Sequence, residues 1–202
     1  MPAATRAYLE LGRTWAFAAA IDWPGWCRRG KGEQGALDAL LDYADRYAAV
    51  AGAEFSPGEL HVIGRLPGTS TTDFGAPDGR GPWDDEPLEA AEAGRLIDLL
   101  EASWRAFDAV VSTAPAELRK GPRGGGRDRD AIVDHVREAE RSYGRKIGVR
   151  LPPRTPWSDQ RAAFAQSLRA GAPGGSWPAR YAVRRFAWHV LDHAWEIEDK
   201  CT

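Results

Sequence analysis

Cysteine is scarce in this 202-residue chain: Cys27 and Cys201 stand far apart and form no C-x-x-C pair. No disulfide framework is expected, and the setting that fits is cytoplasmic. Long hydrophobic runs are missing as well. Nowhere do 18 apolar residues follow one another, so no membrane span is expected. No basic segment followed by an apolar run opens the chain, so no signal peptide is expected. There is no surplus of positive charge either. Lys and Arg number 27 against 29 Asp and Glu, a net charge of -2, which argues against a general nucleic-acid binder. Two catalytic signatures are absent: the G-x-x-x-x-G-K-[ST] phosphate loop, and a Ser-His-Asp set in a recognisable local context. Histidine is also rare, at four residues.

What is present reads as globular protein. Apolar residues make up 43% and charged residues 28%, with an excess of nine tryptophans that need burial. The first third changes period quickly. RAYLELG (6–12) and TWAFAAAID (14–22) alternate as strands around a Gly12-Arg13 turn, and WCRRG (26–30) adds a short third. Residues 32–51 place Leu37, Leu40, Leu41, Ala44, Tyr47 and Ala48 on one helical stripe, and HVIGRL (61–66) returns to strand character. This β-β-β-α-β order predicts a small antiparallel sheet with a helix on one face, over residues 1–66. Residues 67–86 collect glycine and proline without a period and read as a connector. Four amphipathic segments follow, at 87–112, 128–147, 158–171 and 177–200, and predict a four-helix bundle over 87–202. The expected fold class is α+β.

The chemistry concentrates in AWHVLDHAWEIEDK (187–200). Residues four apart on a helix lie about 40° apart around its axis, so His189 and His193 share a face. Helical zinc sites use this spacing, but two ligands bind weakly and the pattern alone has low specificity. A third candidate, His135, lies in AIVDHVREAE, where Ile132, Val133, Val136 and Ala139 mark the inward side. A single histidine on an apolar helix face is more often a hydrogen-bonded core residue than a ligand. Three of four histidines on two such faces favour a metal site whose ring nitrogens lie within roughly 3–4 Å of one another. Three ligands leave a coordination position open, the catalytic rather than the structural arrangement. Asp192 and Glu196 flank His193 and are candidates to accept a histidine's second N–H. His61, at a strand start, reads as a surface residue.

ELRKGPRGGGRDRD (117–130) crowds cations around three glycines just before the His135 helix. Backbone N–H groups and a helix N-terminus suit an anion, so Arg119, Arg123 and Arg127 are candidates to dock a carboxylate or phosphate. A solvated loop whose arginines pair with nearby acids explains the same residues equally well.

In the right helices and the right order, AIVDHVREAE and RRFAWHVLDHAWEIED resemble the DinB/YfiT superfamily, four-helix domains with one histidine on the second helix and H-x-x-x-H on the fourth. The resemblance covers about residues 87–202. It implies a divalent metal, often zinc or nickel, on His135, His189 and His193. It further implies an enzyme of the kind that includes thiol-dependent transferases and isomerases using low-molecular-weight thiols such as mycothiol or bacillithiol. YLELG and AFAAAIDWPGWCRRGKGEQGALDALLDYADRY are similar to HicB-like antitoxin domains, through Asp22, Pro24, Gly25, Gly30 and Glu33. The DNA-binding segment that usually follows those domains has no counterpart, so the resemblance implies a fold rather than an antitoxin role. Together these give an expected metal-dependent enzyme acting on a small molecule, most concretely by thiol transfer. The alternatives are a metal-dependent isomerase or cyclase, and a non-catalytic interaction protein. The expected partner is a small-molecule substrate, with no nucleic acid and no membrane, and a homo-oligomer is compatible with it.

Overall fold

The computed structural model describes residues 4–122 and 125–201. The chain forms two compact units that divide between Pro87 and Leu88.

The first unit holds strands β1 (Thr5–Leu11), β2 (Trp15–Ala20), β3 (Cys27–Lys31) and β4 (Leu60–Pro67), with helices α1 (Gly32–Asp42), α2 (Ala44–Ala51) and α3 (Ser70–Phe74). The sheet order is β3-β2-β1-β4, and β1 and β2 in the middle are buried along most of their length. The expected antiparallel sheet is corrected to a mixed one: β4 returns over the helices and so pairs parallel to β1. Its register slips at Ala7/Tyr8, where Val62 and Gly64 pair and Ile63 is left out as a bulge, 46% exposed. The single expected helix over 32–51 breaks at Tyr43, which leaves the helical region at φ -97, ψ 6. Leu41, expected on the stripe, is 47% exposed, because α1 buries the face of Ala36 and Leu40; Tyr47 of α2 is buried. Tyr47 donates its hydroxyl to Pro24 O at 2.9 Å, and Trp26 donates Nε1 to Leu40 O at 2.8 Å, which pins the Asp22–Gly25 turn to both helices. Gly30 must lack a side chain, because a Cβ there would overlap the backbone of Gly35 on α1.

Residues 67–86, read as a connector, are built into this unit. Trp83 lies on Tyr8 at 5.2 Å between ring centroids and fills the space beside Gly64, where a Cβ would come within 2.6 Å of its ring. Glu10, fully buried on β1, accepts from the Thr72 hydroxyl at 2.6 Å and from the Asp78 and Gly79 backbone N–H at 3.1 and 2.6 Å. Asp73 accepts three backbone N–H groups from Arg13, Thr14 and Trp15, closing the β1–β2 turn. The segment is ordered by side chain-to-backbone bonds rather than by a periodic apolar face, so it carries no periodic signal.

The second unit consists of α4 (Ala90–Thr113), α5 (Arg129–Lys146), α6 (Trp157–Arg169) and α7 (Ala179–Cys201). Both α4 and α5 pack on α6 and on α7, so α4 and α5 occupy opposite corners. Ile97, Leu100 and Phe107 of α4, Ile132 and Val136 of α5, Phe164 and Leu168 of α6, and Phe186 and Val190 of α7 meet in one core. A polar tie runs through it. Arg161 on α6, 8% exposed, donates to Glu140 on α5 at 3.2 Å and to both carboxylate oxygens of Asp108 on α4 at 2.9 and 3.0 Å. Trp157 Nε1 adds a donor to Glu140. A buried charge needs this many partners to offset its lost hydration.

Candidate metal centre

Helix α5 turns His135 to the side that carries the buried Ile132 and Val136, and α7 presents His189 and His193 one turn apart. Because α5 packs directly on α7, the three rings meet. Their centroids form a near-equilateral triangle, 5.1 Å from His135 to His189, 4.9 Å from His135 to His193 and 4.7 Å between His189 and His193. The Nε2 atoms of His135 and His189 lie 3.2 Å apart, and one potential ligand atom from each histidine falls within 4.8 Å of the others. Two nitrogens held at tetrahedral zinc distances would sit about 3.4 Å apart, so the close pair is already spaced for an ion. The set as a whole is looser than the expected 3–4 Å.

Protonation favours ligation. Burial, reinforced by the neighbouring histidine His193 and by Arg127, lowers the pKa of His135 below its ordinary value, with Glu196 opposing. His189, 6% exposed, is pushed well below it, first by burial and then by His193, His135 and two arginines. Both rings are therefore neutral near pH 7, with a lone pair to offer. His193 is oriented from outside: its Nδ1 lies 2.7 Å from Glu196 Oε2, an N–H···carboxylate bond that leaves Nε2 as the basic nitrogen. Glu196 also accepts from Lys200 Nζ, at 2.5 Å. The His193 hydrogen bond, with help from Lys200 and against the effect of burial, holds the Glu196 carboxyl down at about 2. Among the described residues, His189 Nδ1 is buried without a hydrogen-bond partner, and the rings of Tyr143 and Trp188 stand 5.7 and 5.9 Å away, centroid to centroid.

The donor set fits a divalent ion: three imidazoles, two of them held neutral and the third backed by a carboxylate. The basic loop is placed more unevenly. Arg119 donates its backbone N–H to Lys200 O at 3.1 Å and its side chain to Asp199 O at 2.9 Å, and so caps the end of α7. Arg123 lies outside the described residues. Arg127 is exposed, and its charge is among the smaller effects that lower the pKa of His135 and His189. Lys120 pairs with Asp128, and Arg129 with Asp130 at 2.8 Å, as the solvated-loop reading expects. His61 is a surface residue, its side chain 61% exposed.

Sequence reasoning named Glu196 as one of two candidates but passed over Lys200 and Tyr143. The first has a signal, since 193, 196 and 200 step along one helix face by three and four. Tyr143 is two turns beyond His135 on α5; it accepts from Arg185 at 3.3 Å and walls His189, a contact made across helices. Among the described residues, no helix is long and apolar enough to cross a membrane. No protein family, curated protein or solved structure matches the chain.

Proposed function

We propose that the four-helix unit is a DinB/YfiT-like metal-dependent enzyme that acts on a small molecule, using His135, His189 and His193 to hold a divalent ion, zinc or nickel. The observation that carries this reading is the convergence of three imidazoles from two helices within 4.8 Å. Three ligands leave room for a fourth group, which favours chemistry over a purely structural site. An ion there would supply Lewis acidity that brings the pKa of a neighbouring thiol or water toward neutrality. The residues around it supply the rest. Glu196 keeps the His193 proton on Nδ1, Lys200 balances the Glu196 charge, and Arg127, whose charge reaches the histidines, is the docking cation of this proposal for an anionic substrate group.

The reaction we favour is transfer of a low-molecular-weight thiol to a carbon electrophile. A sulfur–carbon bond forms, the carbon–leaving group bond breaks, and the thiol proton passes to solvent. The sheet unit is read as HicB-like in fold, through Asp22, Pro24, Gly25, Gly30 and Glu33, with no antitoxin role carried over. The test is to purify the full chain without chelator, measure its metal content, and then incubate it with a panel of cellular thiols and an aryl halide. Metal bound in about equimolar amount, with metal-dependent conjugate, supports the proposal. Absence of metal in protein purified and reconstituted with zinc or nickel overturns the site. Bound metal without conjugate overturns thiol transfer and leaves an isomerase or cyclase.

A further inference from the structure

The second unit holds a cavity that none of the three histidines lines. It lies between the end of α5, the chain that follows it and α6, with a volume of about 490 Å³, within the usual range for small-molecule sites. Its walls are mainly of two kinds, with Pro153 and the buried Gln160 beside them. Val149, Leu151 and the buried Phe164 give an apolar floor, and Arg141, Arg145 and Arg150 place three guanidinium groups around it.

The walls are held in place. Helix α5 ends in a tight reversal in which Gly148 takes a left-handed φ of 81°, while Val149 N–H donates to Gly144 O at 2.8 Å and Gly148 N–H to Arg145 O at 3.4 Å. This pair of bonds turns the chain sharply at the helix end and folds the next apolar residues back. Gly148 is further confined because a Cβ there would come within 2.6 Å of Pro173 O. The far side of the strap is tied by Arg141, which donates Nη1 to Pro153 O at 2.7 Å. The floor is set by Gly144, whose missing side chain lets the Phe164 ring lie directly on α5.

Several arginines of the unit are paired with acids. Arg161, Arg169 and Arg180 each reach a carboxylate, at 2.9, 2.8 and 2.5 Å. Among the described residues, the Arg145 and Arg150 side chains have no hydrogen bond or ion pair, and no carboxylate lines the cavity with them. Three cations that converge on an apolar pocket repel one another, and a bound anion relieves that repulsion through charge-assisted hydrogen bonds. We infer that this cavity binds an organic anion: a carboxylate or phosphate monoester whose hydrocarbon body lies on Phe164, Leu151 and Val149 while its charged end meets Arg145 and Arg150.

Titration calorimetry on the full chain, as purified, tests this with hexyl phosphate, hexanoate, inorganic phosphate and hexanol. We expect hexyl phosphate or hexanoate to bind with a Kd of about 0.1–1 mM, the scale of a ligand of this size, and the stronger of the two identifies the head group. Inorganic phosphate and hexanol should each bind at least about tenfold more weakly, because each keeps only half of the recognition. Arg145→Glu with Arg150→Glu should weaken the hexyl anion by about tenfold or more with no change in Tm, since both side chains are exposed. Leu151→Asn should weaken the hexyl anions and leave inorganic phosphate unchanged. Hexanol binding as tightly as the anions, indifference to the double charge reversal, or no binding of either anion at about ten times the expected Kd overturns the inference.

Discussion

Glu196→Gln tests whether the carboxylate behind His193 belongs to the proposed metal centre or only decorates α7. The substitution preserves shape and an acceptor oxygen, so the Nδ1–H bond survives in neutral form while the charge is lost. The wild-type contact is 2.7 Å long and its carboxylate is 27% exposed, so the bond is shielded enough to matter. A charge-assisted hydrogen bond contributes about 1.5–3 kcal/mol and a neutral one about 0.5–1.5 kcal/mol, so the exchange costs about 1–1.5 kcal/mol. That corresponds to about a tenfold loss of zinc affinity, at the lower end of the 10–100-fold range seen when such outer partners are removed. The assay is competition for zinc against a chromophoric chelator at neutral pH. Lys200→Ala is the control, because it strips the ion pair from Glu196 but leaves the carboxylate on His193, and its affinity should stay within about threefold of wild type. If Glu196→Gln binds zinc as tightly as wild type, or Lys200→Ala costs as much, the carboxylate does not orient the ligand and the reasoning fails.

Three further expectations follow from the same structure. The Glu196 carboxyl sits at about 2 instead of 4.5, so its contribution to stability is fully present above about pH 4.5 and is lost as the pH falls toward 2. In metal-free protein, the Tm gap between wild type and Glu196→Gln should therefore close over that window, at most about 3 kcal/mol in all, and a gap independent of pH would refute the assignment. In the proposed thiol transfer, Arg127→Ala should raise KM for an anionic thiol about tenfold or more with little change in kcat, because the docking role proposed for it contributes uniform binding; a loss confined to kcat would place Arg127 in the chemistry. Glu140→Ala should destabilise the four-helix unit by about 3 kcal/mol in denaturant melts, since it removes one partner from the buried Arg161 while Asp108 remains. A loss below about 1 kcal/mol would show that the pair is already hydrated.

Much of the framework follows from local pattern. Strand alternation over 6–12 and 14–22 and the apolar stripes of the later segments depend on neighbours within a turn or two. They locate β1, β2 and α4–α7 to within a few residues. The histidines were legible for the same reason. A residue at position 135 shares its helix face with 132 and 136, and 189 shares its face with 193, whatever else the chain does.

What local pattern left open was decided by contacts between residues far apart in sequence. The parallel placement of β4 depends on the return path over α1 and α2, and the bulge at Ile63 depends on its pairing with β1. The order within 67–86 rests on Glu10 and Tyr8, more than 60 residues earlier. In the loop at 117–130, composition could not choose between anion docking and internal pairing, because an arginine's role is set by whatever lies within reach of its long side chain. Arg119 found the last carbonyls of α7, and Lys120 found Asp128. Convergence of His135 on His189 and His193 likewise required α5 to pack on α7 at one particular rotation, a matter of side-chain packing across the core. Helical periodicity determined which residues face inward; only tertiary packing decided which of them meet.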